Sequence, residues 1–123
     1  MDLKKLVSSD TAECVINDPH TGRPTDLSIK VYGIDSAKFR EVTKCASKAH
    51  AQAISKGDEP PEGPAVDAER LAMLTAGWSG LTDGGKEVKF TLSKAQEIYQ
   101  DSPEIRRQID RFIFQVANFL PKA

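Results

Sequence analysis

Residues 26–42 read DLSIKVYGIDSAKFREV, and within them the hydrophobic spacing changes from that of a strand to that of a helix. Leu27, Ile29 and Val31 alternate with polar neighbours, so they share one face of an extended segment. After Gly33, Asp35 or Ser36 supplies a cap for a helix reaching about Ser55, with Phe39, Val42, Cys45, Ala46, Ala49 and Ala53 on one side. Upstream, Glu13 to Asn17 (ECVIN) is also strand-like, and DPHTGRPT between the two strands is turn chemistry, because Pro fixes its dihedral and Gly permits positive φ. Residues 13–33 are therefore expected to form a β-hairpin and 35–55 one long helix.

Further along, residues 56–66 combine prolines, glycines and acids that cannot continue a helix, and they read as a tether. The stretch 67–120 reads as a mainly helical part. A short helix from Asp67 to about Ala76 aligns Leu71, Leu74 and Trp78, and Ser93 with Gln96 has capping-box spacing for a second helix ending near Asp101. Ser102, Pro103 and Glu104 open a third as cap, first-turn proline and first-turn acid, running to about Phe119. The expected architecture is a single α+β domain over residues 1–123, mainly helical. Its N-terminal hairpin is followed by one long helix, a Pro-rich tether and about three shorter helices with a Gly-rich turn.

Composition narrows the function classes. With 123 residues, 28% charged, 39% hydrophobic and a net charge of −1, the chain has the profile of one soluble globular unit. No apolar run approaches the ~20 residues that cross a bilayer, and MDLKKLVSSD lacks a signal-peptide core. No membrane association is expected. Cys14 and Cys45 stand far apart without CxxC or histidine company, which fits packed, reduced thiols and no metal.

Gly80 to Lys86 matches G-x-x-x-x-G-K, the start of a phosphate-binding loop. Such a loop leaves a buried strand and enters a helix whose Ser or Thr holds Mg²⁺. Here position 87 is Glu, the upstream segment is helical in pattern, and EVKFT downstream is strand-like. A tight reversal at Gly84 and Gly85 suits the residues better, with Trp78, Leu81, Val88 and Phe90 as apolar shoulders. Gly77 to Leu81 is not a nucleophile elbow, because G-x-S-x-G requires glycine at 81. With two histidines, His20 in a turn and His50 among lysines, and no nucleophile and base pair, the chain reads as a non-enzyme without cofactor.

Two surfaces invite partners. On the last helix, about 100° per residue places Ile105, Ile109, Phe112, Ile113, Val116 and Leu120 on one buried side, with Phe119 at its edge. Phe114 points nearly opposite, among Arg107, Asp110, Arg111 and Asn118. Either two sides of that helix are covered within its own domain or the helix ends elsewhere, or Phe114 marks a contact surface for another chain, as an aromatic ring on a polar face does. Phe114, Phe119 and Leu120 are the candidate partner-binding residues, and Trp78, Gly84, Gly85 and Phe90 the structural ones. The second surface is residues 36–56, whose five positive charges against one negative could neutralise nucleic-acid phosphates. The acidic tether, the overall charge and the lack of interleaved aromatics argue against that use.

The order of motifs resembles a family. Gly77-Trp78-Ser79-Gly80, then Asp83-Gly84-Gly85, Val88-Lys89-Phe90-Thr91 and Asp101-Ser102-Pro103-Glu104 is similar to the tail assembly chaperones of long-tailed, lambda-like bacteriophages. Tyr32 to Ser36 followed by Phe39-Arg40 resembles that family's upstream stretch, so the likeness covers about Tyr32 to Leu120. It implies a mostly helical, self-associating protein that coats the tape measure protein, keeps it soluble, and helps recruit tail tube protein in the host bacterial cytoplasm. Shallow apolar patches, strong in sum and weak singly, suit a coat that is later displaced. The resemblance supplies no site residue, so Phe114, Phe119 and Leu120 rest on helix geometry. Members are often made in two lengths by ribosomal slippage, for which Pro121-Lys122 offers a codon context.

Overall fold

In the computed structural model, which describes residues 1–121, the alternation at Leu27, Ile29 and Val31 becomes the buried face of the central strand of a small sheet. Lys122, the second residue of the suggested slippage site, lies outside the described residues. The expected hairpin is formed by β1 (Thr11–Asn17) and β2 (Pro24–Tyr32), antiparallel, with Cys14 opposite Ile29 and Glu13 opposite Lys30. Cys14 and Ile16 face inward with Leu27, Ile29 and Val31, while Val15 is left exposed on the other face. The fold is α+β, as the change of period predicts.

A third strand was not legible. The short helix expected to reach Ala76 ends earlier: α2 spans Pro64–Met73, and β3 (Thr75–Ser79) returns antiparallel along the free edge of β2. Trp78, aligned with that helix by sequence, instead sits opposite Ile29 in the sheet. Two forces favour the strand. The unpaired backbone groups of β2 need partners, and the Tyr32 N–H donates to the Leu74 carbonyl at 2.8 Å. Thr75 and Trp78 also favour extended backbone. The pairing skips Ala76, a bulge that places Thr75 opposite Val31 and Gly77 opposite Lys30.

Helix α1 (Ala37–Ser55) starts where expected, with the Ser36 hydroxyl accepting from the Phe39 N–H at 3.1 Å. Its environment differs from expectation. Val42 alone is buried; Phe39 and Ala53 are half-buried, and Cys45, Ala46 and Ala49 are exposed. The tether is shorter than expected, because Gly63 (φ 106°) and Pro64 already begin α2. Beyond β3, β4 (Thr82–Asp83) and β5 (Lys86–Glu87) form a two-residue hairpin. Gly84 and Gly85 have φ of 60° and 83°, as a primed turn requires. The phosphate-loop-like stretch is thus a β-turn that leads into strand β5 and not directly into a helix.

Helix α3 (Leu92–Asp101) is capped by Thr91, whose hydroxyl accepts from the Lys94 N–H, and not by Ser93. Helix α4 (Pro103–Phe114) is capped by Ser102 with Pro103 in its first turn, as the sequence indicates. It stops at Phe114 instead of Phe119, and a 3-10 turn over Val116–Phe119 follows.

One apolar core joins the inner sheet face to α2, α3, α4 and the 3-10 turn through Leu71, Leu74, Ala95, Tyr99, Ile109, Ile113 and Phe119. Within it, Thr75 donates to the Leu71 carbonyl at 2.8 Å, so its hydroxyl oxygen is the acceptor for Tyr99 at 2.6 Å. That bond ties α3 to β3. Burial pushes the Tyr99 phenol up to about 12, and it pushes the Cys14 thiol up to about 11.

Candidate partner-binding surface

Helix α4 carries the sequence-predicted contact residues, and its early end explains how they separate. Ile109 and Ile113 face the core. Phe114, one residue on, turns away from that stripe and remains 54% exposed. The Phe39 ring at the start of α1 meets it edge-on, with centroids 5.9 Å apart at 87°. Val116, just past the helix, is 41% exposed. Phe39 and Phe114 therefore place two aromatic rings where the first turn of α1 meets the last of α4, with Arg111 exposed in that last turn.

Phe119 is a correction. It is 3% exposed and packs at 5.6 Å against Phe112 and directly over Gly33, where a Cβ would stand 2.9 Å from the ring. Projecting a continuous helix put Phe119 at the edge of the stripe. The break at Gln115 instead folds it back beneath the strand-to-helix junction. Leu120 is half-buried beside it. Of the three candidates, Phe114 presents a broad apolar surface.

The structural candidates occupy the turn region. Trp78 is half-buried, packs edge-on against Phe90 at 5.0 Å, and donates its indole N–H to the Val88 carbonyl at 2.8 Å. Gly80 was not singled out by sequence for this role, yet a Cβ there would collide with the Asp26 carbonyl. Its φ of 79° brings the outgoing chain against β2.

Residues 1–7, notable in the sequence only for lacking a signal-peptide core, form a further exposed apolar surface. Leu3, Leu6 and Val7 are 75%, 56% and 61% exposed around a 3-10 turn over Leu3–Leu6 that packs none of its residues into the core. The segment is fixed at its end, where Ser9 N–H donates to the Phe119 carbonyl at 2.7 Å and Gly33 N–H to the Asp10 carbonyl at 3.0 Å. The available signal was the i, i+3, i+4 spacing of Leu3, Leu6 and Val7 beside two lysines.

Elsewhere the surface is shallow. Ile16, Leu27 and Ile105 line an open groove of about 330 Å³ between the hairpin tip and α4. A second, of about 240 Å³, lies on the outer sheet face beside Lys30 and Trp78. Among the described residues no three His, Cys, Asp or Glu side chains gather as a metal site, and no helix is long and apolar enough to cross a membrane. No family model, curated protein or solved structure matches the chain.

Proposed function

We propose that the chain is a tail assembly chaperone of a long-tailed bacteriophage, binding the tape measure protein reversibly and aiding recruitment of tail tube protein in the host cytoplasm. The observation that carries this reading is Phe114, ordered by its contact with Phe39 yet open over half its surface. A ring already fixed by an intramolecular neighbour loses little side-chain freedom on binding. An exposed apolar patch accepts the apolar stripe of a partner helix in many registers, as a coat on a long helical protein must. The motif order from Tyr32 to Leu120 supports the same family, and self-association belongs to the reading.

Co-expression with a long, coiled-coil-rich partner from a neighbouring gene tests it. The partner is expected to become soluble and co-purify with the chain, and Phe114→Ser is expected to abolish co-purification without altering the melting temperature by more than a few degrees. A partner that stays insoluble beside the wild-type chain contradicts the proposal.

A second reading has one observation behind it. The outer part of α1 stands clear of the core with Lys44 and Lys48 exposed, a shape open to nucleic acid. DNA affinity falling steeply with salt would favour it. The acidic tether beside the helix opposes it.

A further inference from the structure

The segment before β1 and the groove at the hairpin tip complement each other and lie at opposite ends of the molecule. Strand β1 begins at Thr11, just after the anchored segment, and ends at Asn17 on the groove. Helix α4 spans the same distance in reverse, from Ser102 and Ile105 at the groove to Phe114, shortly before the Phe119 carbonyl that holds Ser9. Gln108 fixes the groove end by bonding both the N–H and the carbonyl of Asn17, at 2.8 and 2.9 Å. A seven-residue strand and a twelve-residue helix each set the two ends roughly 20 Å apart.

The groove is lined by apolar Ile16, Leu27 and Ile105 and by two carboxylates, Asp18, which accepts from the His20 N–H, and Glu104, which holds Arg107 at 3.0 Å in an exposed pair that an incoming lysine can share. Residues 3–6 are LKKL: two exposed leucines with two lysines between them. Apolar groups meet apolar groups and cations meet carboxylates when such a segment enters such a groove.

We propose that residues 3–7 of one copy dock in the hairpin-tip groove of a second copy, giving head-to-tail self-association. Because the donor and acceptor surfaces differ and lie at opposite ends, each added copy leaves one segment and one groove free. The contact is heterologous and generates a ring if it closes, or a filament if it does not. This deepens the self-association part of the reading above and needs no tape measure protein. Sedimentation of the chain alone tests it, whereas co-expression tests the partner, so the two can fail separately.

The wild-type chain is expected to sediment as a concentration-dependent series beyond the dimer at concentrations on the order of 100 µM, weakening several-fold as salt is raised. Leu3→Ser with Leu6→Ser, changing exposed residues only, is expected to weaken association at least about tenfold with an unchanged circular-dichroism melt. Charge reversal supplies the second arm of the test. Lys4→Glu/Lys5→Glu and Asp18→Lys/Glu104→Lys variants, each confirmed as folded, are expected to associate poorly alone and to recover when mixed. A wild-type chain that remains monomeric up to about 500 µM overturns the proposal. So does leucine-to-serine substitution without effect, or a charge-reversed mixture that stays dissociated.

Discussion

Helices α1 and α4 look alike as patterns and behave differently as parts. Both place apolar residues on one side at helical spacing. The twelve residues of α4 bury Ile109 and Ile113 completely, while the nineteen of α1 bury Val42 alone. Side-chain size is the difference. The α4 stripe is built of Ile and Phe, whose exposure would cost roughly 1.5–3 kcal/mol each, so the fold closes around it. Beyond Val42 the α1 stripe is Cys and Ala, which gain little from burial and do not compel the molecule to cover them. Good helix formers such as Ala and Lys carry the outer turns of α1, and packing carries α4.

The largest effect that this contrast predicts is in the core. Phe119→Ala is expected to destabilise by about 3–5 kcal/mol in chemical denaturation, because it empties the space under Gly33 and beside Phe112. A loss below about 1 kcal/mol would mean that Phe119 is a surface residue after all.

Alkaline pH probes the same core. Above the ordinary thiol value of 9.0 the unfolded chain releases the Cys14 proton, which the folded chain keeps to about 11. Tyr99 behaves likewise between 10.0 and about 12. In both windows the unfolded state binds fewer protons than the folded one, so stability is intact below about 9 and falls as pH rises toward 12. Denaturation midpoints from pH 8 to 11.5 check the slope; a flat profile would place both groups in solvent.

Tyr99→Phe sharpens the picture. It removes the donor to Thr75 while keeping the ring, and is expected to cost about 1 kcal/mol and to flatten the upper part of the alkaline loss. Smallest is Ala49→Gly in the outer part of α1. Far-UV helicity is expected to drop while the global denaturation midpoint moves by no more than about 0.5 kcal/mol. A large global loss would show that α1 is coupled to the core along its whole length and would break the contrast.

How far the sequence carried can be argued element by element. The hairpin, α1 with its Ser36 cap, the Gly84-Gly85 turn and the Ser102-Pro103 helix start were legible because each is decided by local chemistry: period, cap hydroxyl, positive φ, fixed proline dihedral. Strand β3 was not, because Trp78 extends the apparent stripe of α2 by helical arithmetic. The unpaired edge of β2, a distant element, tips Thr75 to Ser79 into a strand. The break at Gln115 was hidden for a similar reason, since Phe119 leaves the helix to fill a space that Gly33 provides far away in sequence. That break also determined which candidates stayed on the surface. Phe114 remained there and Phe119 did not. The apolar segment at Leu3, Leu6 and Val7 was passed over because seven residues are too few for periodicity to stand out.

Under the proposed function, the apolar end around Phe114 is where other polypeptides would bind reversibly. Hydroxyl-radical footprinting of the chain, free and together with the proposed tape measure partner, reads this directly. Phe114 and Val116 are expected to become protected in the complex, while Leu92, also exposed but on α3, keeps its reactivity. Undiminished oxidation of Phe114 in the complex, with protection falling on the outer sheet face around Lys30 instead, would contradict the account.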